Sequence, residues 1–323
     1  MRRREFIAGL GAAAWPLAAR AQQDTRVRRI GVLLGPDEND PVAKTYITAF
    51  IQALAGLGWT GGRNVRMDLR WGGGDINRIR ALAQELVGLQ PDILVSSSTP
   101  ATVALQGETR TIPIVFAGLV DPVASGIVPR LNQPGGNITG FAGWEPTLGG
   151  KWLELLAEIA PGLKRAGIMF NPDLFPVSVY MPPLETAARS LKVMPIPAPI
   201  LSDAEIETTI TAIGREAGGG LVIMPDPFMT VHRALIIAAA ARNNVPVVYG
   251  QSYFTKDGGL LSYGPDVVDT YRRAATYVDR ILRGAKPGRS PGAVPDQVRD
   301  DREPQDRHGA RTFRTSIDSA PRG

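Results

Sequence analysis

The 323-residue chain has no cysteine. Disulfides, a thiolate nucleophile and thiolate-ligated metals are therefore excluded, and folding after export needs no oxidising machinery. Only two histidines occur, His232 and His308, too few for a multi-histidine zinc site and a thin basis for a Ser-His-Asp triad. His232 follows "PFMTV" in a helical pattern, where a packing or surface role is expected. The sequence also lacks an apolar run of the roughly 20 residues that a membrane span requires. No Lys/Arg stripe with interleaved aromatics is present, which argues against a nucleic-acid partner.

The net charge of +5 is unevenly placed. Arg2, Arg3, Arg4 and Arg20 stand against Glu5 in residues 1–21, so most of the positive charge sits in the first few turns' worth of chain. That stretch combines a basic start, a short weakly apolar segment and small residues Ala19 and Ala21, which reads as an export signal cleaved after Ala21. Arg3-Arg4-Glu5-Phe6-Ile7 is similar to a twin-arginine signal but lacks the usual Ser or Thr before the pair, so the general secretory route stays open. No cofactor is indicated. Gly9 to Ala14 has dinucleotide-fingerprint spacing without a preceding strand, and Gly72-Gly73-Gly74 lacks the Gly-Lys-Ser/Thr of a phosphate loop.

Short Val/Ile/Leu-rich runs alternate with helical patterns. "RRIGVLLG", "NVRMDLRW", "PDILVSSS" and "IPIVFAG" read as strands, with helices over 42–57, 76–89 and 101–107 between them. After the Gly/Pro/Asn-rich connection "NQPGGNITGF" the rhythm resumes: strands "RAGIMF", "KVMPI", "GLVIMP" and "VPVVYG", with helices over 150–159, 184–190, 203–215 and 230–243. The expected fold is α/β, two doubly wound parallel-sheet lobes around a central cleft. Lobe 1 is expected over 27–143, with about 256–283 returning to it, and lobe 2 over 144–255.

Ligands in such sheets bind beyond the carboxyl ends of the strands. The Ser96-Ser97-Ser98-Thr99 loop opens a helix, so Ser97, Ser98 and Thr99 with the free N–H groups offer an anion or carboxylate site. Asp121 and Asp226 are candidates for a ligand ammonium, and Phe228, Tyr253 and Trp144 for aromatic walls. Each has a plainer reading as a helix cap, an Asp-Pro turn or a packing ring.

"RRREFI" with "AARAQQ", "TPATVALQGETRTIPIVFAGLVDPVASGIVPRLNQPGGNITGF", "GGKWLELL" and "GGLLSYGPDVVDTYRRAATYVDRILRGAKP" resemble the substrate-binding proteins of ABC transporters, in the subgroup associated with tryptophan and tyrosine uptake. The resemblance runs from about residue 2 to about residue 293. It implies a periplasmic, type I two-lobed binding protein without chemistry of its own. Such a protein closes on a small solute, an amino acid or aromatic amino-acid-like compound, and delivers it as a monomer to permease subunits of the inner membrane. It places Ser98-Thr99-Pro100 and Asp121-Pro122 near the ligand, with Asp226 and Tyr253 beside them. Many relatives carry glycines where this chain has Ser96-Ser97-Ser98, which leaves the ligand open. Two other readings stand: a sensory protein presenting ligand to a membrane receptor, and an exported enzyme using the same cleft, for which the strand ends offer no nucleophile beside a base.

Residues 294–323 break the pattern, being rich in Asp, Arg and Pro. The family continues here with a strand and a helix. One permitted back-translation of Pro295 to Arg307, read one base further on, encodes "RTKFEMIVNLKT", which is similar to that continuation. The tail is accordingly read as frameshifted, the alternative being a natural disordered segment.

Overall fold

A computed structural model describes residues 26–287 and the backbone of residues 313 and 314. The expected export signal, His308 and the rest of the tail lie outside the described residues. Lobe 1 contains β1 (Arg28–Leu34), α1 (Pro41–Gly56), β2 (Val65–Trp71), α2 (Ile76–Gly88), β3 (Ile93–Ser96), α3 (Thr99–Glu108), β4 (Ile114–Val120) and β5 (Ile138–Trp144). Its five strands are parallel in the order β2-β1-β3-β4-β5.

Both faces of this sheet are covered, and β1 shows how the sequence arranges it. Ile30, Val32 and Leu34 alternate onto one face, where Phe50 and Leu54 of α1 pack. Leu33 turns to the other face and meets Ile79, Leu86 and the α3 residues Ala101 and Leu105. Covering on both sides is why these strands read as continuous apolar runs and not as alternating ones.

The second lobe repeats the plan with α4 (Leu148–Ile159), β6 (Arg165–Phe170), α5 (Met181–Leu191), β7 (Met194–Pro199), α6 (Asp203–Arg215), β8 (Gly219–Ile223), α7 (Pro227–Val231), α8 (Arg233–Arg242), β9 (Val247–Tyr249), α9 (Ser252–Lys256) and β10 (Leu261–Ser262). Strands β10-β9-β8-β6-β7 are parallel, and β11 (Phe313–Arg314) adds antiparallel to β10. Ala166, Ile168 and Phe170 face Trp152, Leu156 and Leu184, whereas Met169 faces Ile206, Ile210 and Ile236. The last helix, α10 (Val267–Leu282), returns to the first lobe, where Tyr271, Ala274, Ala275 and Val278 join the α1 face of its core.

Two expectations change. "NITGF" belongs to β5 and not to a connection. Its glycines disguise it: Gly140 lies at φ +155, against the Phe116 backbone, where an added Cβ would collide, so the close approach of β5 to β4 requires a residue that sequence reading takes for a turn. The helix expected over 230–243 is interrupted at His232, which separates α7 from α8. The His232 ring packs as expected, with Nδ1 2.8 Å from the Phe228 carbonyl oxygen and Nε2 3.0 Å from Asp203 Oδ1.

The exposed edge strand β7 reads Met-Pro-Ile-Pro-Ala-Pro. Met194 N–H donates to the Lys164 carbonyl at 2.8 Å, and Ile200 N–H to that of Phe170 at 2.9 Å, so even-numbered residues point their N–H groups at β6. The odd positions, which would present N–H groups to solvent, are Pro195, Pro197 and Pro199. Every outward donor on this edge is thereby removed, which blocks pairing with another strand. The triple substitution Pro195→Thr, Pro197→Thr, Pro199→Thr is expected to lower the temperature at which light scattering appears in a heating ramp. Unchanged scattering would show that the prolines do not guard this edge.

Candidate ligand-binding cleft

Two chain crossings join the lobes within the described residues, one from Trp144 into α4 and one from Tyr263 into α10. They run side by side: a Cβ on Gly143 would lie 3.9 Å from Pro265, and one on Gly264 3.1 Å from Trp144. The carboxyl ends of the two sheets thus face each other, and the cavity between them is lined from both sides.

The lobe 1 wall is built on helix starts. Asp40 caps α1, and Val42, Ala43 and Tyr46 of its first turns line the cavity. Ser98 caps α3, its Oγ accepting from Ala101 N–H at 3.3 Å, and Ser97 Oγ accepts from Gly35 N–H at 3.1 Å. Thr99 Oγ1 is buried without a partner. Behind them Tyr271 reaches in from α10, its hydroxyl bonded to Ser97 and its pKa pushed up to about 12 by burial. Tyr46 and Tyr271 stack with ring centroids 5.5 Å apart. The register between β4 and β5 shifts around Gly118, which lines the cavity, a usual position for a bulge beside a binding site.

The lobe 2 wall comprises Leu174, Phe175, Pro225, Asp226, Pro227, Thr230, Gln251 and Tyr253. Asp226 is fully committed to the frame. Its Oδ1 accepts from Met229 N–H at 2.8 Å, capping α7, and its Oδ2 accepts from Asn171 N–H at 2.9 Å, tying the end of β6 to the end of β8. Burial raises its pKa to about 7 even though three backbone N–H groups favour the anion. Thr230 Oγ1 bonds the Asp226 carbonyl at 2.8 Å and the Tyr253 hydroxyl at 2.6 Å, and the same hydroxyl donates to Gln251 Oε1. Burial holds the Tyr253 phenol well above its ordinary pKa, so it remains a donor. With Oε1 engaged by hydroxyls, the Gln251 amide nitrogen is the end left for a ligand.

The structure therefore brings Ser97, Ser98, Thr99, Asp226 and Tyr253 together around one cavity, with Trp144 at its hinge end. Asp121 and Phe228 do not line it. The Asp121 carboxyl accepts from Val123 N–H at 3.1 Å and Ala124 N–H at 2.9 Å, closing its own turn. The Phe228 ring lies on His232 with centroids 4.0 Å apart, and its backbone abuts Gly74 of lobe 1. Sequence reasoning passed over Tyr46, Thr230, Phe175 and Tyr271, whereas Gln251 falls on the strand-end stretch 249–253 that it placed at the cleft wall. Tyr46 and Tyr271 follow Asp40 and Asp266 by six and five residues, so a search one turn past each helix cap would have found them. Among the described residues no three His, Asp or Glu side chains converge as a metal site, and no helix is long and apolar enough to cross a membrane.

The sequence model of the family described as ABC transporter substrate binding protein matches residues 35–299. A curated relative, the tyrosine-binding protein of Clostridioides difficile (strain R20291), is 24% identical over 249 residues, 77% of this chain and 71% of that protein. Among solved structures, a conserved domain protein from Vibrio cholerae is 27% identical with a TM-score of 0.76, covering 82% of this chain and 88% of the other. An ABC domain in complex with L-Trp from Streptococcus pneumonia is 22% identical with a TM-score of 0.74 at the same coverages.

The raised Asp226 pKa has a testable sign. A carboxyl whose folded pKa lies near 7 holds its proton in the native state while the unfolded chain, at about 3.9, has lost it. Its contribution to stability is therefore present at low pH and lost as pH rises through that window, by up to about 1.4 kcal/mol per pH unit. Asp226→Asn removes the titration, so the stability difference between the wild type and this variant is expected to shrink from pH 4 to pH 7 in urea unfolding. A difference that is flat or grows would contradict the assignment.

Proposed function

Because the chain belongs to the ABC transporter substrate-binding protein family, we propose that it is an exported solute-binding protein that closes on an aromatic amino acid and hands it to a permease of the inner membrane. The observation that carries this reading is one cavity walled by Tyr46, Trp144, Phe175 and Tyr271 and edged by Ser98, Thr99, Gln251 and Tyr253. Rings supply apolar faces for a ligand side chain, and hydroxyls with the start of α3 supply donors for its carboxylate. Thr99 Oγ1, buried and unpartnered, supports the second half of the argument, since such a group gains most from a ligand that satisfies it. The curated and structural relatives that carry tyrosine and tryptophan in their names point to the same class.

The test is a thermal melt of the exported chain against amino acids and polyols. At 100 times its dissociation constant a ligand stabilises by about 2.7 kcal/mol, a shift of about 4 °C for a protein of this size. L-tyrosine or L-tryptophan is expected to give it, with a change in Trp144 emission, and polyols none. A shift with a polyol alone would replace the proposed ligand class. Gln251→Glu, which exchanges the free amide donor for an acceptor, is expected to weaken binding of the same ligand by about tenfold or more in calorimetry.

A further inference from the structure

A second recess adjoins the ligand cavity. Thr99, Pro100, Leu174 and Phe175 line both spaces, so the two share a wall. The outer one is an open groove of about 560 Å³, within the roughly 300–1,000 Å³ usual for small-molecule sites. Its lobe 1 side is formed mainly by α3 and the start of α2, and its lobe 2 side by residues 172–176, which follow β6.

The α3 side is not what a surface helix ordinarily presents. This helix buries Pro100, Ala101, Thr102 and Leu105, and its other face is expected to be polar. Instead Val103, Ala104 and Gly107 line the groove, spaced as neighbours on one helix face. Val103 is 50% exposed, and the position of a Cβ on Gly107 is open space. From Thr99 to Gly107 the helix rises about 12 Å, the length of roughly three extended residues. The charged residues of the lining are Arg80, Glu108 and Asp173. None of them enters an ion pair among the described residues.

The shared wall determines which end of a solute adjoins the groove. Thr99 and the start of α3 are the groups assigned above to the ligand carboxylate, and Thr99 belongs to both spaces. The carboxyl end of a bound amino acid therefore lies beside the groove, and its side chain lies among the rings of the inner cavity. If that carboxyl is an amide, its carbonyl oxygen still accepts a hydrogen bond from the unpartnered Thr99 Oγ1. The chain beyond the amide has an apolar helix face to follow.

We propose that the cleft takes short peptides whose first residue is aromatic and fills the inner cavity, and whose second residue lies in the groove along α3. This extension rests on the binding-protein reading above. Arg80 offers a cation to the terminal carboxylate, while Glu108 and Asp173 favour a neutral or basic second side chain over an acidic one.

Calorimetry on the exported chain with L-tyrosine, Tyr-Ala, Tyr-Lys, Tyr-Glu and Ala-Tyr tests this. Tyr-Ala and Tyr-Lys are expected to bind, Tyr-Glu more weakly, and Ala-Tyr about tenfold more weakly than Tyr-Ala or worse. Gly107→Phe meets no neighbour at its Cβ and places a ring in the groove. It is expected to weaken Tyr-Ala about tenfold or more and to leave L-tyrosine unchanged. Arg80→Gln is expected to weaken Tyr-Ala about threefold, the effect of one exposed charge pair, again without effect on L-tyrosine. Ala-Tyr binding as tightly as Tyr-Ala, or a Gly107→Phe variant that leaves Tyr-Ala unaffected or weakens both ligands equally, would overturn the proposal. L-tyrosine binding without peptide binding would overturn the extension and leave the aromatic amino-acid reading standing. Binding of neither would remove that reading and this proposal with it.

Discussion

Trp152 Nε1 donates to the Tyr263 carbonyl oxygen at 2.7 Å, and the two-lobed arrangement depends on this contact and its surroundings. Trp152 belongs to the helix that follows the first crossing, and Tyr263 opens the second, so the bond fastens the two crossings together. Gly264 follows at once, lying so close to the Gly250 carbonyl that a side chain there would collide. The two crossings are thereby held side by side, one pinned by an indole and the other requiring glycine. The strand ends of the opposite lobes are held facing each other across one cavity.

The parallel sheets decide what those strand ends can be. Apart from β4, the strands that end at the cleft are followed by helices, so much of the rim is made of helix starts with unsatisfied N–H groups. Side chains that cap them, Asp40, Ser98 and Asp226, are for the same reason the polar groups nearest a ligand. The Asp40 carboxylate is already matched by Arg233, and burial favours the neutral form of Asp226, whose oxygens accept from backbone N–H groups. What the cavity retains is mild: hydroxyls, one amide and aromatic faces. Such a lining suits reversible binding, since no unpaired buried charge makes the empty state costly.

This origin also explains which parts of the site could be read from the chain. Ser97, Ser98, Thr99, Asp226 and Tyr253 follow strands directly, and the apolar runs that mark those strands are unambiguous because the sheets are covered on both faces. Asp121 and Phe228 satisfy the same positional rule yet turn away, the one into its own backbone and the other onto His232. Position along the chain does not encode side-chain direction in a loop. Tyr46 and Tyr271 lie on helices, and a helical tyrosine in an amphipathic pattern looks like core; both are in fact half core, stacking on each other beneath the cavity. The strand β5 was hidden by the glycine that its close approach to β4 demands. Asp40 and Arg233, 193 positions apart in the chain, carry no local mark of their pairing.

Asp40 and Asp226 show one device used for two ends. Each gives one carboxylate oxygen to the first N–H groups of its own helix and the other to a group that sequence does not bring near. For Asp226 that second partner is Asn171 N–H in the same lobe, buried beside it in a fixed frame, so the bond holds whether the cleft is open or shut. For Asp40 it is Arg233 in the opposite lobe, so the bond spans the cleft. The cap fixes the direction of the free oxygen in both cases, and the location of the partner alone determines whether the result ties one lobe together or joins the two.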